Sequence, residues 1–100
     1  MNYTIEMRDK IATCVMSGHL TFSDHDSYRA MLDQALDKGA ETVVLDLEKL
    51  EFIDSAGMGM LLVGQDKSSG AAWHFELRSP KGQVKKMLDL AQLNQVISIK

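Results

Sequence analysis

The sequence predicts an α/β domain: a mainly parallel sheet of four to five strands, opened by an antiparallel hairpin, with helices packed against it. Short apolar runs alternate with segments of helical period in the order β-β-α-β-α-β-α-β. Single helices between strands favour right-handed crossovers and parallel neighbours. The first two strands are joined by so short a polar turn that they should pair as a hairpin. One hundred residues support one modest core, so residues 1–100 read as a single domain.

Tyr3, Ile5 and Met7 alternate with Asn2, Thr4 and Glu6, the period of a half-exposed strand. Arg8-Asp9-Lys10 reads as the turn, Ile11 to Ser17 as a mostly apolar second strand, and Gly18 as its end. Ser23 with Asp26 three residues on resembles a capping box. Behind it Tyr28, Met31, Leu32, Ala35 and Leu36 form an amphipathic stripe, closed by Lys38 and by Gly39 in the C′ position. Thr42 to Leu47 is apolar and β-branched, as in a strand covered on both faces, and Leu50 to Ile53 extends it. The period then changes: Met58, Leu61 and Leu62 fall on one face of a helix whose N-cap is Asp54 or Ser55, ending near Lys67 to Gly70. Trp73, Phe75 and Leu77 mark another strand. Ser79-Pro80 fits an N-cap and N1 pair before a helix carrying Val84, Met87 and Leu88. Val96 to Lys100 reads as a last strand, with Ile97 and Ile99 on one face.

With 45% apolar and 25% charged residues the composition is that of an ordinary globular domain. A formal charge of −3 gives no basic footprint for nucleic acid, and the one basic pair, Lys85-Lys86, reads as a solvated helix face. Cys14 is alone in an apolar strand, which excludes an internal disulfide and suggests a buried structural thiol. The first residues lack the pattern of a signal peptide, and no apolar run approaches the roughly 18 residues of a membrane span. The expected location is the cytoplasm, without direct membrane insertion.

Few residues suggest catalysis. Ser55 lacks the G-x-S-x-G context of a hydrolase nucleophile, and His19, His25 and His74 have no spacing that implies a triad. The histidines and one cysteine lack zinc-ligand spacing. Gly57-x-Gly59 opens a helix after a strand, as dinucleotide-binding glycines do. Leu62 replaces the third glycine, however, and Asp54 sets a negative charge where pyrophosphate would approach. No enzyme activity, cofactor or metal is expected. What stands out is Ser55 on a helix start almost bare of side chains, with Ala56, Gly57 and Gly59 beside it. Spacing alone makes Ser55 a helix cap or a modification site, and a phosphate there would gain from the helix dipole but suffer from Asp54.

The block Leu47-Glu48-Lys49-Leu50-Glu51-Phe52-Ile53-Asp54-Ser55-Ala56-Gly57-Met58-Gly59-Met60-Leu61-Leu62 resembles the signature of STAS domains, in particular bacterial anti-sigma factor antagonists. The Gly18 turn, the Tyr28 to Leu36 helix and Val84-x-x-Met87-Leu88-Asp89-Leu90-x-x-Leu93 also fall where that fold has them. The resemblance implies a STAS-like fold and a module that switches partners. Ser55 matches the serine phosphorylated by a cognate kinase, often the anti-sigma factor itself, and dephosphorylated by a PP2C-type phosphatase. It implies that the unmodified form binds the anti-sigma factor and the phosphorylated form releases it. Asp54, Gly57 and Gly59 would support the switch; His19, Thr21, Ser23, Ala56 and Met58 are the candidate contact surface. The chain departs from many relatives at Gly18-His19-Leu20-Thr21, where they carry an acid or arginine after the glycine, and it ends without their final helix. Two alternatives stay open. One is a constitutive STAS subunit of a lipid-transporting ATPase complex, in which the serine only packs or caps. The other is a STAS domain that senses a nucleotide or lipid.

Overall fold

Asp9 and Lys10 both adopt positive φ, 51° and 66°, the type I′ geometry whose twist matches a two-stranded ribbon. They join β1 (Asn2–Arg8) to β2 (Ile11–Leu20), with Arg8 already paired to Ile11, so the turn is two residues and not three. In this computed structural model, which describes all 100 residues, α1 (His25–Asp37), β3 (Thr42–Ile53), α2 (Ser55–Ser68), β4 (His74–Arg78), α3 (Gly82–Leu90) and β5 (Ser98–Ile99) follow. Short 3₁₀ turns occupy Phe22–Asp24 and Leu93–Gln95. The α/β class and the antiparallel opening hairpin agree with the sequence reading.

The sheet order is β1-β2-β3-β4-β5, with β1 antiparallel to β2 and every other neighbour parallel. Ile5, Cys14, Leu45, Leu77 and Ile99 lie side by side across it, one from each strand. This face meets Met31, Leu32 and Ala35 of α1, Met60 and Leu61 of α2, and Val84 and Leu88 of α3 in one core of 22 buried residues. Each fully buried Leu or Ile contributes about 1.5–3 kcal/mol over an exposed one.

All three crossovers step the same way across the sheet, so right-handed connections place all three helices on one face. The expected cover on both faces of β3 is therefore absent. The other face carries Thr4, Glu6, Thr13, Val15, Asp46, Glu76 and Arg78, and an Arg78–Asp46 ion pair spans 3.3 Å across it. Val44 is buried there between the neighbouring Thr13 and Glu76, which is why β3 reads as a doubly buried strand.

Other boundaries shift for local reasons. Gly18 does not end β2; at φ 84° it lies within the strand, beside register shifts at Val15/Ser17 and Gly18/His19. The cap expected from Ser23 and Asp26 sits two residues earlier, where the Asp24 carboxylate accepts from the Thr21 N–H at 2.8 Å. Ser79-Pro80 does not start α3. Ser79 has φ 59° and donates its N–H to the Lys100 carbonyl, so the chain is still engaged at the sheet edge and the helix begins at Gly82. The last strand keeps only Ser98 and Ile99 paired, with Ile97 buried just before it. On α2 the buried stripe is Gly57, Met60, Leu61, Gly64 and Ser68, turned by a residue or so from the expected one, leaving Met58 and Leu62 half-buried at its border.

Candidate functional site

The site lies where β3 ends and α2 begins. Leu20 and Ile53 finish neighbouring parallel strands, and the Asp54 N–H donates to the Leu20 carbonyl at 3.3 Å. Both chain exits therefore leave the same sheet edge together, one entering the Thr21–Asp24 turn and the other opening α2.

Asp54, and not Ser55, is the N-cap. Its extended backbone (φ −101°, ψ −177°) lets one carboxylate oxygen accept from the Gly57 N–H at 2.7 Å. The other oxygen accepts from the Phe22 N–H at 3.3 Å. One carboxylate thus fastens the helix start and the neighbouring turn to each other. Ser55 follows as the first helical residue; it is exposed and its hydroxyl takes no part in these bonds.

The two glycines act differently. A Cβ on Gly57 would stand 2.4 Å from the Leu20 carbonyl oxygen and 2.7 Å from Cγ1 of Ile53, so only glycine lets α2 seat this closely on the strand ends. Gly57 is buried and supports the site from beneath. A Cβ on Gly59 would meet nothing within 4 Å, so that glycine keeps the surface low. Ala56 and Gly59 lead into a groove of about 380 Å³ between α1 and α2, with His25, Arg29 and Lys67 on its rim and exposed Val63 along it.

The remaining candidate contacts divide. Thr21 and Ser23 sit on the turn that Asp54 holds, their hydroxyl oxygens 3.4 Å apart. Met58 leans on the core. His19 packs against Phe52 with ring centroids 5.5 Å apart and planes tilted by 57°, in a contact of its own. Phe22, 74% exposed, lies in the same Gly18 to Ser23 turn, where no motif singles it out. Its N–H is held by Asp54, and its ring packs edge-on against His25 at 5.5 Å. An isolated aromatic in a turn gives no periodic signal, so only the fold sets it beside Ser55.

The polar groups beside Ser55 hold the turn. The Nδ1–H of His25 donates to the Phe22 carbonyl at 2.7 Å, which engages that ring nitrogen in holding the turn. Asp24 holds the turn from its other end. Burial pushes its carboxyl up, but the Thr21 N–H, the N-terminal ammonium at 3.1 Å and the Thr21 hydroxyl outweigh that and keep it below the usual carboxylate range. What is left is a free hydroxyl at the positive end of a helix, on a surface of small side chains.

The family model described as Mlab, STAS domain matches residues 4–98. This chain is a STAS domain. It is 28% identical over 102 residues to the anti-sigma F factor antagonist of Paenibacillus polymyxa, covering 99% of this chain and 87% of that one. A STAS-domain containing protein of Pseudomonas aeruginosa is 26% identical over 87 residues, covering 87% and 85%. Among solved structures, the anti-sigma factor antagonist SpoIIAA in its unphosphorylated form superposes with a TM-score of 0.79 at 22% identity, over 99% of this chain and 88% of that one. The phosphorylated form of the Bacillus protein gives 0.72 at 22% identity, over 99% and 91%. These solved neighbours share the fold of this chain. No helix is long and apolar enough to cross a membrane.

Proposed function

We propose that this STAS domain is an anti-sigma factor antagonist whose binding surface is switched by phosphorylation of Ser55. One observation carries the reading: Asp54 does the capping, so the exposed Ser55 hydroxyl is left free at the mouth of α2. In the alternative of a constitutive transport-complex subunit, the serine would pack or cap, and here the neighbouring carboxylate does that instead. The name of the Paenibacillus polymyxa relative and the superposition on SpoIIAA support the same assignment.

In this reading a cognate serine kinase, itself the anti-sigma factor, docks on Phe22, Ala56 and the Thr21–Asp24 turn. The partner binds the unmodified surface and is sequestered by it. Transfer to the Ser55 oxygen adds a charge of about −1.5 to −2 beside Asp54. The helix tolerates it, since the α2 dipole favours an anion at its first turn. A close-packed interface does not, because the phosphate would be desolvated against it. A PP2C-type phosphatase resets the surface, and the switch works in the cytoplasm without refolding the domain.

The test compares Ser55→Asp and Ser55→Ala for binding to the cognate anti-sigma factor, by titration calorimetry. Ser55→Ala should bind as the parent does. Ser55→Asp should bind at least tenfold more weakly with an unchanged circular dichroism spectrum. Equal binding by both variants contradicts the switch.

A further inference from the structure

β1 forms one edge of the sheet, and the hairpin geometry fixes which of its backbone groups face outward. Across a two-residue type I′ turn the flanking pair, Arg8 and Ile11, exchanges both hydrogen bonds. By alternation Glu6, Thr4 and Asn2 also bond to β2, so the N–H and C=O groups of Tyr3, Ile5 and Met7 point away from the sheet. The strand pairs with β2 in unbroken register over seven residues, with no proline, glycine or bulge to blunt its outer side. Tyr3 and Ile5 are only half-buried and Met7 is 38% exposed, so an apolar row borders this edge on the helix side.

The geometry points to a second copy of this chain as the occupant of that edge: two β1 strands pair antiparallel about a two-fold axis at Ile5. The register follows from charge and hydrogen bonding. With Ile5 opposite Ile5, Tyr3 faces Met7, and the outward groups of all three residues are satisfied from both sides. On the other face Thr4 meets Glu6 and Asn2 meets Arg8, so no like charges are directly opposed. Moving the axis to Glu6 would set two carboxylates against each other; moving it to Thr4 would leave Arg8 without a partner. The product is one sheet of ten strands, five from each copy, with the helices on a common face. Because the axis reverses strand direction, the two Ser55 surfaces lie at opposite ends and stay clear of the joint.

Sedimentation velocity on the full chain, from ~10 μM to ~1 mM, tests this. A species of twice the 11.1 kDa chain mass should grow with concentration. Ile5→Pro should abolish it without costing a β2 hydrogen bond, since that N–H points outward. Two milder variants on the exposed face report the register. Thr4→Lys gains a pairing with Glu6 of the second copy on each side of the axis and should tighten the dimer ~5-fold. Thr4→Glu should loosen it by a similar factor. Amide exchange at Tyr3, Ile5 and Met7 should slow as concentration rises. The proposal is overturned by a monomer throughout the range, by a dimer indifferent to Ile5→Pro and Thr4→Glu, by tightening with Thr4→Glu instead of Thr4→Lys, or by fast exchange at these amides in a dimer, which would leave the edge to a different protein.

Discussion

Gly57 and Gly59 sit two residues apart on one helix, yet substitution at each should move stability in opposite directions. At Gly57 a methyl group meets the Leu20 carbonyl oxygen at 2.4 Å, and backbone cannot give way cheaply. Overpacking of this kind costs about 1–3 kcal/mol, more than the ~1 kcal/mol that alanine gains over glycine in a helix. Gly57→Ala should therefore lower the urea midpoint. At Gly59 the space is open, so Gly59→Ala keeps the propensity gain and should raise the midpoint by up to ~1 kcal/mol equivalent. Paired urea titrations of the two variants check both signs. The contrast also separates two roles that look the same in the motif: one glycine seats the helix and the other clears the surface above it.

At the scale of elements, the Thr21–Asp24 turn is held by carboxylates from both ends, and its stability should depend on pH. Asp24 has a folded-state pKa below its unfolded value, so its contribution is complete above the ordinary carboxylate range and is lost as pH falls through the folded value. Thermal melts should show stability dropping on acidification, with a shallower drop in Asp24→Asn.

The elements themselves were legible wherever a period ran long enough. The α1 stripe from Tyr28 to Ala35 is buried as its spacing predicts, and Tyr3 and Ile5 of β1 pack against the core, while Met7 near the hairpin turn stays exposed. Legibility failed where tertiary contact overrides local chemistry. Ser23 and Asp26 have the spacing of a cap, but the strand exit at Leu20 brings Asp24 to the Thr21 N–H first. Ser79-Pro80 has the composition of a helix start, but the edge bond to Lys100 holds Ser79 back. On α2 apolar residues run nearly all round the helix, so periodicity could not fix which side faces inward. The glycines do: Gly64, where a Cβ would lie 2.6 Å from the Phe75 ring, marks the buried side as Gly57 does. Of the site, Asp54 and Ser55 were legible as a pair, and only the structure assigns the cap to one of them. Phe22 was not, because its place beside Ser55 depends on two strands ending together.

For the molecule as a whole, one sheet face carries all the helices and the core, and the other is polar with a single buried valine. Stability therefore resides in one continuous layer contact that should open as a unit. Cys14 reports on it, being fully buried at the centre of the sheet, where desolvation pushes its thiol up to about 12. A neutral-pH thiol reagent should label it only through global unfolding, so labelling rates should track the unfolding equilibrium across urea concentrations. Labelling faster than that equilibrium allows would mean that the β1–β2 hairpin opens on its own. In the proposed switch this layer keeps the Ser55 surface in one shape, and phosphorylation changes its charge and not the fold.

The most direct test of that claim is the intact mass of the protein isolated from its native host under growth and stress, with phosphatases inhibited. A fraction heavier by one phosphate, mapped to Ser55 and changing with condition, is the expected result. An unmodified mass under every condition would contradict the switch and move the constitutive-subunit reading ahead.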